Sequence, residues 1–440
     1  MSHHERLDDL HSVCAVAGDN AAWEVDWTGR TTGRALAVAL PASSSDVAAV
    51  LTWCAARGLR VTVAGGRTGL VAGAVPDGTV VLATDRLAGV RVEGATVVAG
   101  AGATLAAVQA AAARAGWAYG VDMTSRDSCT VGGMVATNAG GLRVVGFGST
   151  RTQVLGIEAV LADGSVVSRL QGLAKDATGY DLSQLLVGSE GTLGIVTAAR
   201  LRLVAQPRSR QTVLAPVASV AAAVDLVARA RQQADRVTAA ELLLADGVAL
   251  VREVTGLGAL PAAAAYVLLE AEGGLERVVD DAALVATDAA DAQRFWAYRE
   301  AITEAVSRLG VPHKLDVSLP SAALAPFVAA LAAVIDQATG DHVVHVWGHL
   351  GDGNLHVNVV GPAPQDETVD DAVLRLCASM GGSVGAEHGI GRAKVRWLHL
   401  SRSAGELAAM RAIKLALDPA GRLNPGVLLP LESGSPTFEA

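Results

Sequence analysis

The sequence predicts an α+β protein of more than one domain, on three observations. A chain of 440 residues exceeds what one hydrophobic core usually supports. From residue 41 to about 205, helix-like and strand-like pieces alternate with glycine punctuation. After a break near "AQPRSRQ" (205–211), alanine-rich helical stretches mix with short strands such as "AAYVLLEAEG", the pattern of a second α+β domain.

The elements follow in order. "SSSDVAAVLTWCAARG" offers a serine or aspartate N-cap, an apolar helical stripe and a closing glycine, so it reads as a helix. "LRVTVAGG" reads as a strand entering a glycine loop, and "GTVVLAT" as a further strand. Three glycine-rich stretches follow one another at 63–76 ("VAGGRTGLVAGAVP"), 129–143 ("CTVGGMVATNAGGLR") and 185–197 ("LLVGSEGTLGIVT"). Glycine lets backbone approach a ligand closely and leaves N–H groups free for phosphate oxygens. Any one stretch alone is an ordinary turn; three in one domain point to a large phosphate-bearing cofactor. "GAGATL" at 100–105 lacks the third glycine of the dinucleotide fingerprint, no clear acidic partner follows it, and no GxxxxGK[ST] loop exists, so the common nucleotide folds are not indicated.

Composition narrows the partners. A net charge of −9 argues against nucleic acid, and with aromatics at only 3% the cores must rest on Leu, Val and Ala. Four scattered cysteines without a CxxC pair suit a reducing compartment. "MSHHERLDDLHSV" lacks a leader pattern, and "AALAPFVAALAAVI" is short for a membrane span and carries a proline, so the expectation is a cytoplasmic protein without a transmembrane segment.

"GHLGDGNLHVNVV" (348–360) carries the sharpest chemical signal. Asp-Gly between two β-rich runs predicts a two-residue hairpin loop at 352–353, which pairs His349 with His356 on one face. Their Cα atoms then stand roughly 4.5 to 5.5 Å apart, which suits two imidazoles on one metal; the alternative is a pair of partly exposed edge histidines. Seven of the ten histidines (His313, His342, His345, His349, His356, His388, His399) fall in this half. "AEHGIG" supplies Glu387 beside His388, so His349, His356 and Glu387 give two nitrogens and an oxygen with a position left open, as in catalytic zinc sites; manganese or iron are the alternatives. His345 faces the same side but lies roughly 13 Å along the strand. His313, His342 and His399 read as structural, and Asp352 as a turn former. Arg299 and Thr303, four apart in "YREAITEAVSR", share one helix face, which alone reads as a solvated basic face, and Lys314 follows.

The motifs "GGRTGLVAGAVP", "SCTVGGMVATNAGGLR", "VLGIEAVLADGSVV", "TGYDLSQLLVGSEGTLGIVT", "GHLGDGNLHVNV", "GSVGAEHGIG" and "LNPGVLLP" stand in this order from about residue 30 to 430. With them the chain resembles the flavin-linked D-2-hydroxyacid dehydrogenases of the vanillyl-alcohol oxidase superfamily. That resemblance implies an FAD-binding domain of two subdomains over 1–205. A substrate or cap domain with an antiparallel sheet and the metal site follows over 206–415, and a segment at 416–440 returns to the cofactor. It implies that Gly65, Gly66, Arg67, Thr68 and Gly69 wrap the pyrophosphate. Gly132, Gly133, Thr137, Asn138, Glu190, Gly191, Gly194, Ile195 and Asn424 line the flavin. Arg67, Ala64, Ala72 and Met134 depart from the usual pattern. No histidine or cysteine is placed for a covalent link, so FAD is expected to be dissociable. The resemblance further implies a divalent metal on His349, His356 and Glu387, His388 as catalytic base, and Arg299, Thr303, Lys314 and Asn354 on the substrate. The implied reaction is hydride transfer from C2 of D-2-hydroxyglutarate to flavin N5, or the same chemistry on D-lactate, glycolate or D-malate. An electron-transfer flavoprotein or a quinone is the implied acceptor, and a homodimer the default assembly. A flavin-free metal hydrolase or metal-binding module is the remote alternative, and it leaves the glycine loops without purpose.

Overall fold

The computed structural model describes residues 9–431 apart from 174 and 208; the first eight residues, part of the stretch read for a leader, lie outside the described residues. The chain forms two compact units. The first comprises 1–139, 149–206 and 388–440, the second 140–148 and 207–387.

The first unit contains two main sheets. In one, Arg34–Leu40, Asp77–Ala83 and Val61–Ala64 run parallel, with the short Ala15–Val16 strand antiparallel at the edge. The expected helix is there as Ser44–Ala56, its first turn capped by Ser43, whose hydroxyl accepts from Asp46 N–H at 3.1 Å. Such a cap contributes about 1 kcal/mol. Val47, Val50, Leu51 and Cys54 of this helix pack with Val61, Val80 and Leu82 of the sheet. The other sheet is antiparallel, in the order Val90–Glu93, Thr96–Gly100, Ile195–Arg202, Val154–Val160, Val166–Ser168. Helix Leu105–Arg114 covers it through Leu105, Val108 and Ala112. Among the described residues the four cysteines form no disulfide.

The second unit is built on seven antiparallel strands in the order Leu284–Val285, Gln211–Val217, Ala265–Ala271, Val237–Leu244, Val343–His349, Asn354–Val360, His313–Ser318. One face carries Leu214, Leu243, Leu268 and Trp347 under Phe295, Tyr298 and Ile302 of the helices Ala289–Glu300 and Ile302–Ser307. Because side chains alternate, that face continues across the last three strands as His345, His349, Asn354, His356, Asn358, Lys314 and Asp316. The apolar stretch expected to be too short for a membrane span forms an 18-residue helix, Ser321–Ala338, which is long and apolar enough to cross one. Within this unit Leu324, Phe327, Leu331 and Ile335 of that helix are buried.

Candidate active site

The hairpin at 343–360 differs from the sequence expectation in register. The structure pairs Trp347 with His356 and leaves 350–353 as the loop, where a two-residue loop had been expected to pair His349 with His356. Partners outside the hairpin account for this. Gly351 N–H donates to Ala240 O at 3.1 Å, and Gly353 O accepts from Leu319 N–H at 3.0 Å. The change is an even number of positions, so no side chain changes face. His349 and His356 remain diagonal neighbours, their rings edge to face at 5.2 Å.

Glu387 completes the group. His349 Nε2 stands 3.5 Å from one Glu387 oxygen, and His356 Nε2 stands 3.5 Å from the other. These separations are long for hydrogen bonds and close to the roughly 3.4 Å between ligand atoms that share one tetrahedral ion at 2.0–2.2 Å. The donor set therefore fits a divalent metal. The outer contacts fit as well. His349 Nδ1–H donates to Glu241 Oε1 at 2.8 Å, which leaves Nε2 as the ligand nitrogen. Burial pushes the His349 pKa down, but the carboxylates of Glu241 and Glu387 outweigh it and raise it well above the ordinary value: this position calls for a cation.

Asp316, His356 and Glu387 bring ligand atoms within 4.8 Å of one another, a grouping that does not include His349. The two oxygens of Asp316 are engaged, however. Oδ1 accepts from Asn354 Nδ2 at 2.8 Å, and Oδ2 accepts from Ala386 N–H and Glu387 N–H at 3.1 and 2.9 Å. Asp316 therefore aims Glu387. Gly141 N–H holds the Glu387 side chain from another direction, at 3.0 Å. Gly141 sits in the tail of the second glycine stretch, and that tail, residues 140–148, packs in the second unit.

The expected substrate group is distributed as follows. Arg299 is buried in the last turn of Ala289–Glu300, its Nε–H donating to Glu241 Oε2 at 2.6 Å, so it is no solvated basic residue. Thr303 lies on the following helix, Ile302–Ser307, and not on one unbroken helix with Arg299. Lys314 stands on the polar sheet face, where burial lowers its pKa from 10.5 to about 8. Asn354 gives its amide hydrogens to Asp316 and Val317 O, which ties it to the loop. Three residues on this face escaped sequence reading: Glu241, Asp316 and Asn358. Asn358 is opposite Lys314 on one side and His345 on the other. The signal for the two carboxylates was available, since each is the one charged acid in a buried strand and so needs partners. His345 Nδ1 meets Asp246 at 2.9 Å. His313 pairs with Asp370, while His342 and His399 meet the carbonyls of Gly340 and Arg396.

In the first unit the glycine loops meet at close range. A Cβ on Gly66 would stand 2.0 Å from Ser128 O, and one on Gly132 would stand 2.7 Å from Ala101 Cβ. Gly133 and Gly69 have room for a Cβ, so space within the chain does not explain glycine there, whereas a cofactor pressed against the loops would. Arg67 takes a left-handed φ of 55°, and its guanidinium turns to Asp85 and the Trp23 ring, so it offers the loop backbone only. Thr68 neighbours it in that loop. Thr137 Oγ1 donates to Gly133 O within its helix, and Asn138 caps that helix at φ 51°, its side-chain oxygen accepting from Ser149 and Arg151. Gly194 packs against Leu161 and Leu186, and Ile195 is fully buried in the core.

Glu190 and Asn424 tie separate segments of the first unit together. The Glu190 carboxylate accepts from Ile390 N–H and Gly391 N–H at 2.8 and 2.7 Å, fixing the turn that follows His388. Burial raises its pKa, while those donors and the Lys394 ammonium hold it back. Asn424 accepts from Val63 N–H at 2.7 Å and donates to Glu190 O at 2.6 Å, where Gly191 gives it space. The C-terminal segment thereby links the first and third glycine stretches.

The model for "FAD linked oxidases, C-terminal domain" matches residues 206–428, and that for "FAD binding domain" matches 35–169. The chain belongs to the FAD-linked oxidase family. It is an FAD-dependent oxidoreductase. Among its relatives, D-2-hydroxyglutarate dehydrogenase of Xanthomonas citri is 39% identical, the match covering 92% of this chain and 91% of that one. The mitochondrial D-2-hydroxyglutarate dehydrogenase of Bos taurus is 36% identical, over 92% and 79%. Among solved structures, 4-ethylphenol oxidase from Gulosibacter chungangensis is similar at a TM-score of 0.75 and 17% identity, covering 98% of this chain and 97% of that one. An alkyldihydroxyacetonephosphate synthase is similar at 0.72 and 15%, over 97% and 86%. The last two bear on fold alone, and they bear out the expected α+β class.

Proposed function

We propose that the chain oxidises a D-2-hydroxyacid, D-2-hydroxyglutarate first, to the 2-oxoacid, with non-covalent FAD and a divalent metal. The observation that carries the reading is that His349 Nε2 and His356 Nε2 each stand 3.5 Å from an oxygen of Glu387, in a chain whose relatives are named D-2-hydroxyglutarate dehydrogenases. His349, His356 and Glu387 hold the ion, zinc in the first instance. When bound, the ion makes a substrate hydroxyl more acidic, and FAD accepts the hydride from C2 at N5. His388, next to Glu387 in the chain, takes the hydroxyl proton. Arg299 presents its terminal NH2 groups, which make no hydrogen bond among the described residues, to a carboxylate; Lys314 and Thr303 add a charge and a hydroxyl. The buried polar sheet face, with Asn358 between Lys314 and His345, favours a dicarboxylate over D-lactate or glycolate. Electrons then pass to an electron-transfer flavoprotein or a quinone, in the cytoplasm.

The test is a kcat/KM comparison of D-2-hydroxyglutarate, D-malate, D-lactate and glycolate with a dye acceptor, on metal-replete holoenzyme and after chelation. The proposal expects the five-carbon diacid to lead and chelation to abolish turnover. Equal turnover after complete metal removal refutes the metal role, and a leading monocarboxylate refutes the substrate.

A further inference from the structure

The candidate metal ligands and the candidate substrate clamp meet at one side chain. Glu241 lies on the central strand Val237–Leu244 and is fully buried. Its Cα partner across the ladder is His349. One oxygen, Oε1, accepts from His349 Nδ1–H at 2.8 Å; the other, Oε2, accepts from Arg299 Nε–H at 2.6 Å. We infer that Glu241 is a positioning residue that couples metal binding to substrate-carboxylate binding, by holding His349 and Arg299 on the two oxygens of one carboxylate.

The inference rests on the proposed metal and substrate reading, and it follows from donor counting. Both partners present an N–H to Glu241, so both sites on it must accept, and only a carboxylate offers two accepting oxygens at this spacing. The bond to Nδ1–H fixes the His349 tautomer and reserves Nε2 for the ion. The bond to Nε–H fixes the guanidinium plane and leaves its two terminal NH2 groups for a carboxylate. Motion of either partner pulls on the other oxygen of a group that has no solvent around it.

An amide at this position fails in a defined way. In Glu241→Gln the single oxygen serves either Arg299 or His349. With the oxygen on Arg299, the amide nitrogen faces His349 and forces Nδ1 to accept, which moves the ring proton to Nε2 and removes the ligand lone pair. With the oxygen on His349, the amide hydrogens oppose Arg299 Nε–H and the guanidinium swings. One of the two functions is lost in each orientation, and the coupling through Glu241 is lost in both.

The experiment uses full-length, FAD-loaded protein stripped of metal. Zinc affinity is measured by competition with a chromophoric chelator, with and without 2-oxoglutarate, which binds to the oxidised enzyme without being turned over. In the unchanged protein, 2-oxoglutarate should tighten zinc binding at least about fivefold, and zinc should tighten 2-oxoglutarate binding by the same factor. In Glu241→Gln, zinc affinity should fall about 10- to 100-fold and the coupling factor should fall at least about threefold, what is left being the direct contact of the 2-oxo acid with the ion. Zinc affinity and coupling within twofold of the unchanged protein would overturn the inference while leaving the metal reading intact. An unchanged protein that takes up no zinc would overturn the metal reading itself, and the inference with it. Should Glu241→Gln not fold, Arg299→Met carries the test. With Oε2 of Glu241 released, the factor by which 2-oxoglutarate tightens zinc should fall at least about threefold. An undiminished coupling factor in Arg299→Met would overturn the inference.

Discussion

Replacing Asp316 by asparagine tests how the Glu387 loop is held. Asp316 is fully buried, and its oxygens accept from Asn354 Nδ2 at 2.8 Å and from Ala386 and Glu387 N–H at 3.1 and 2.9 Å. An amide has one accepting oxygen. Turned toward the two backbone donors, it keeps the loop but sets its own NH2 against that of Asn354; turned the other way, it abandons both N–H groups. The first orientation costs less, about 1.5–3 kcal/mol for the lost charged hydrogen bond. At about 2–4 °C per kcal/mol for a unit of this size, the thermal midpoint of the second unit should fall by roughly 3–12 °C. Zinc affinity should fall about 10- to 100-fold, since the carboxylate aims Glu387. Scanning calorimetry on the FAD-loaded protein reads the first quantity, and chelator competition the second. Asp316→Ala removes all three acceptor contacts and should exceed asparagine in both. A variant that melts and binds zinc like the unchanged protein would refute the assignment of Asp316 as the anchor of Glu387.

Three further outcomes follow from the same geometry. Gly66→Ala places a Cβ 2.0 Å from Ser128 O, so the 65–69 loop must shift; FAD content per chain should drop sharply, and retention of full FAD would contradict the loop's role. His388→Ala should keep the flavin spectrum and lose nearly all turnover, and substantial turnover would remove it as the base. Lys314 is cationic below about pH 8 and neutral above, so KM for a dicarboxylate should rise as pH passes through about 8, an effect absent in Lys314→Met. The same depressed pKa means that the unfolded chain binds more protons than the folded one between about 8 and 10.5. Lys314 therefore adds stability as pH rises through that range.

The sequence reached the fold class because helix capping, β-rich runs and glycine punctuation are local signals. Of the serine and aspartate candidates Ser43 caps the helix, and "LRVTVAGG" is the strand Val61–Ala64 opening into a loop. The two histidines were placed on one face for a sound reason and with the wrong partner. Alternation decides the face, but loop contacts with Ala240 and Leu319, far away in sequence, decide the register. Arg299 and Thr303 followed a helical period that the break at Ala301 interrupts. Glu241 and Asp316 were passed over because their partners are distant along the chain: Glu241 reaches His349 across 108 residues, and Asp316 reaches Glu387 across 71. A lone carboxylate inside an apolar strand such as "VTAAELLL" states that a partner exists; only the folded sheet says which one. The Glu190 carboxylate ties down the Ile390–Gly391 turn beside His388, a contact across 200 residues that no local signal shows.

The most direct measurement is anaerobic: D-2-hydroxyglutarate is added to oxidised holoenzyme, once metal-replete and once metal-stripped, and bleaching of the flavin absorbance is followed. The account expects rapid, complete bleaching with the metal, recovery of that rate on adding zinc or manganese back, and little bleaching without it. Equal bleaching with and without the metal, or none with the metal present, would contradict it.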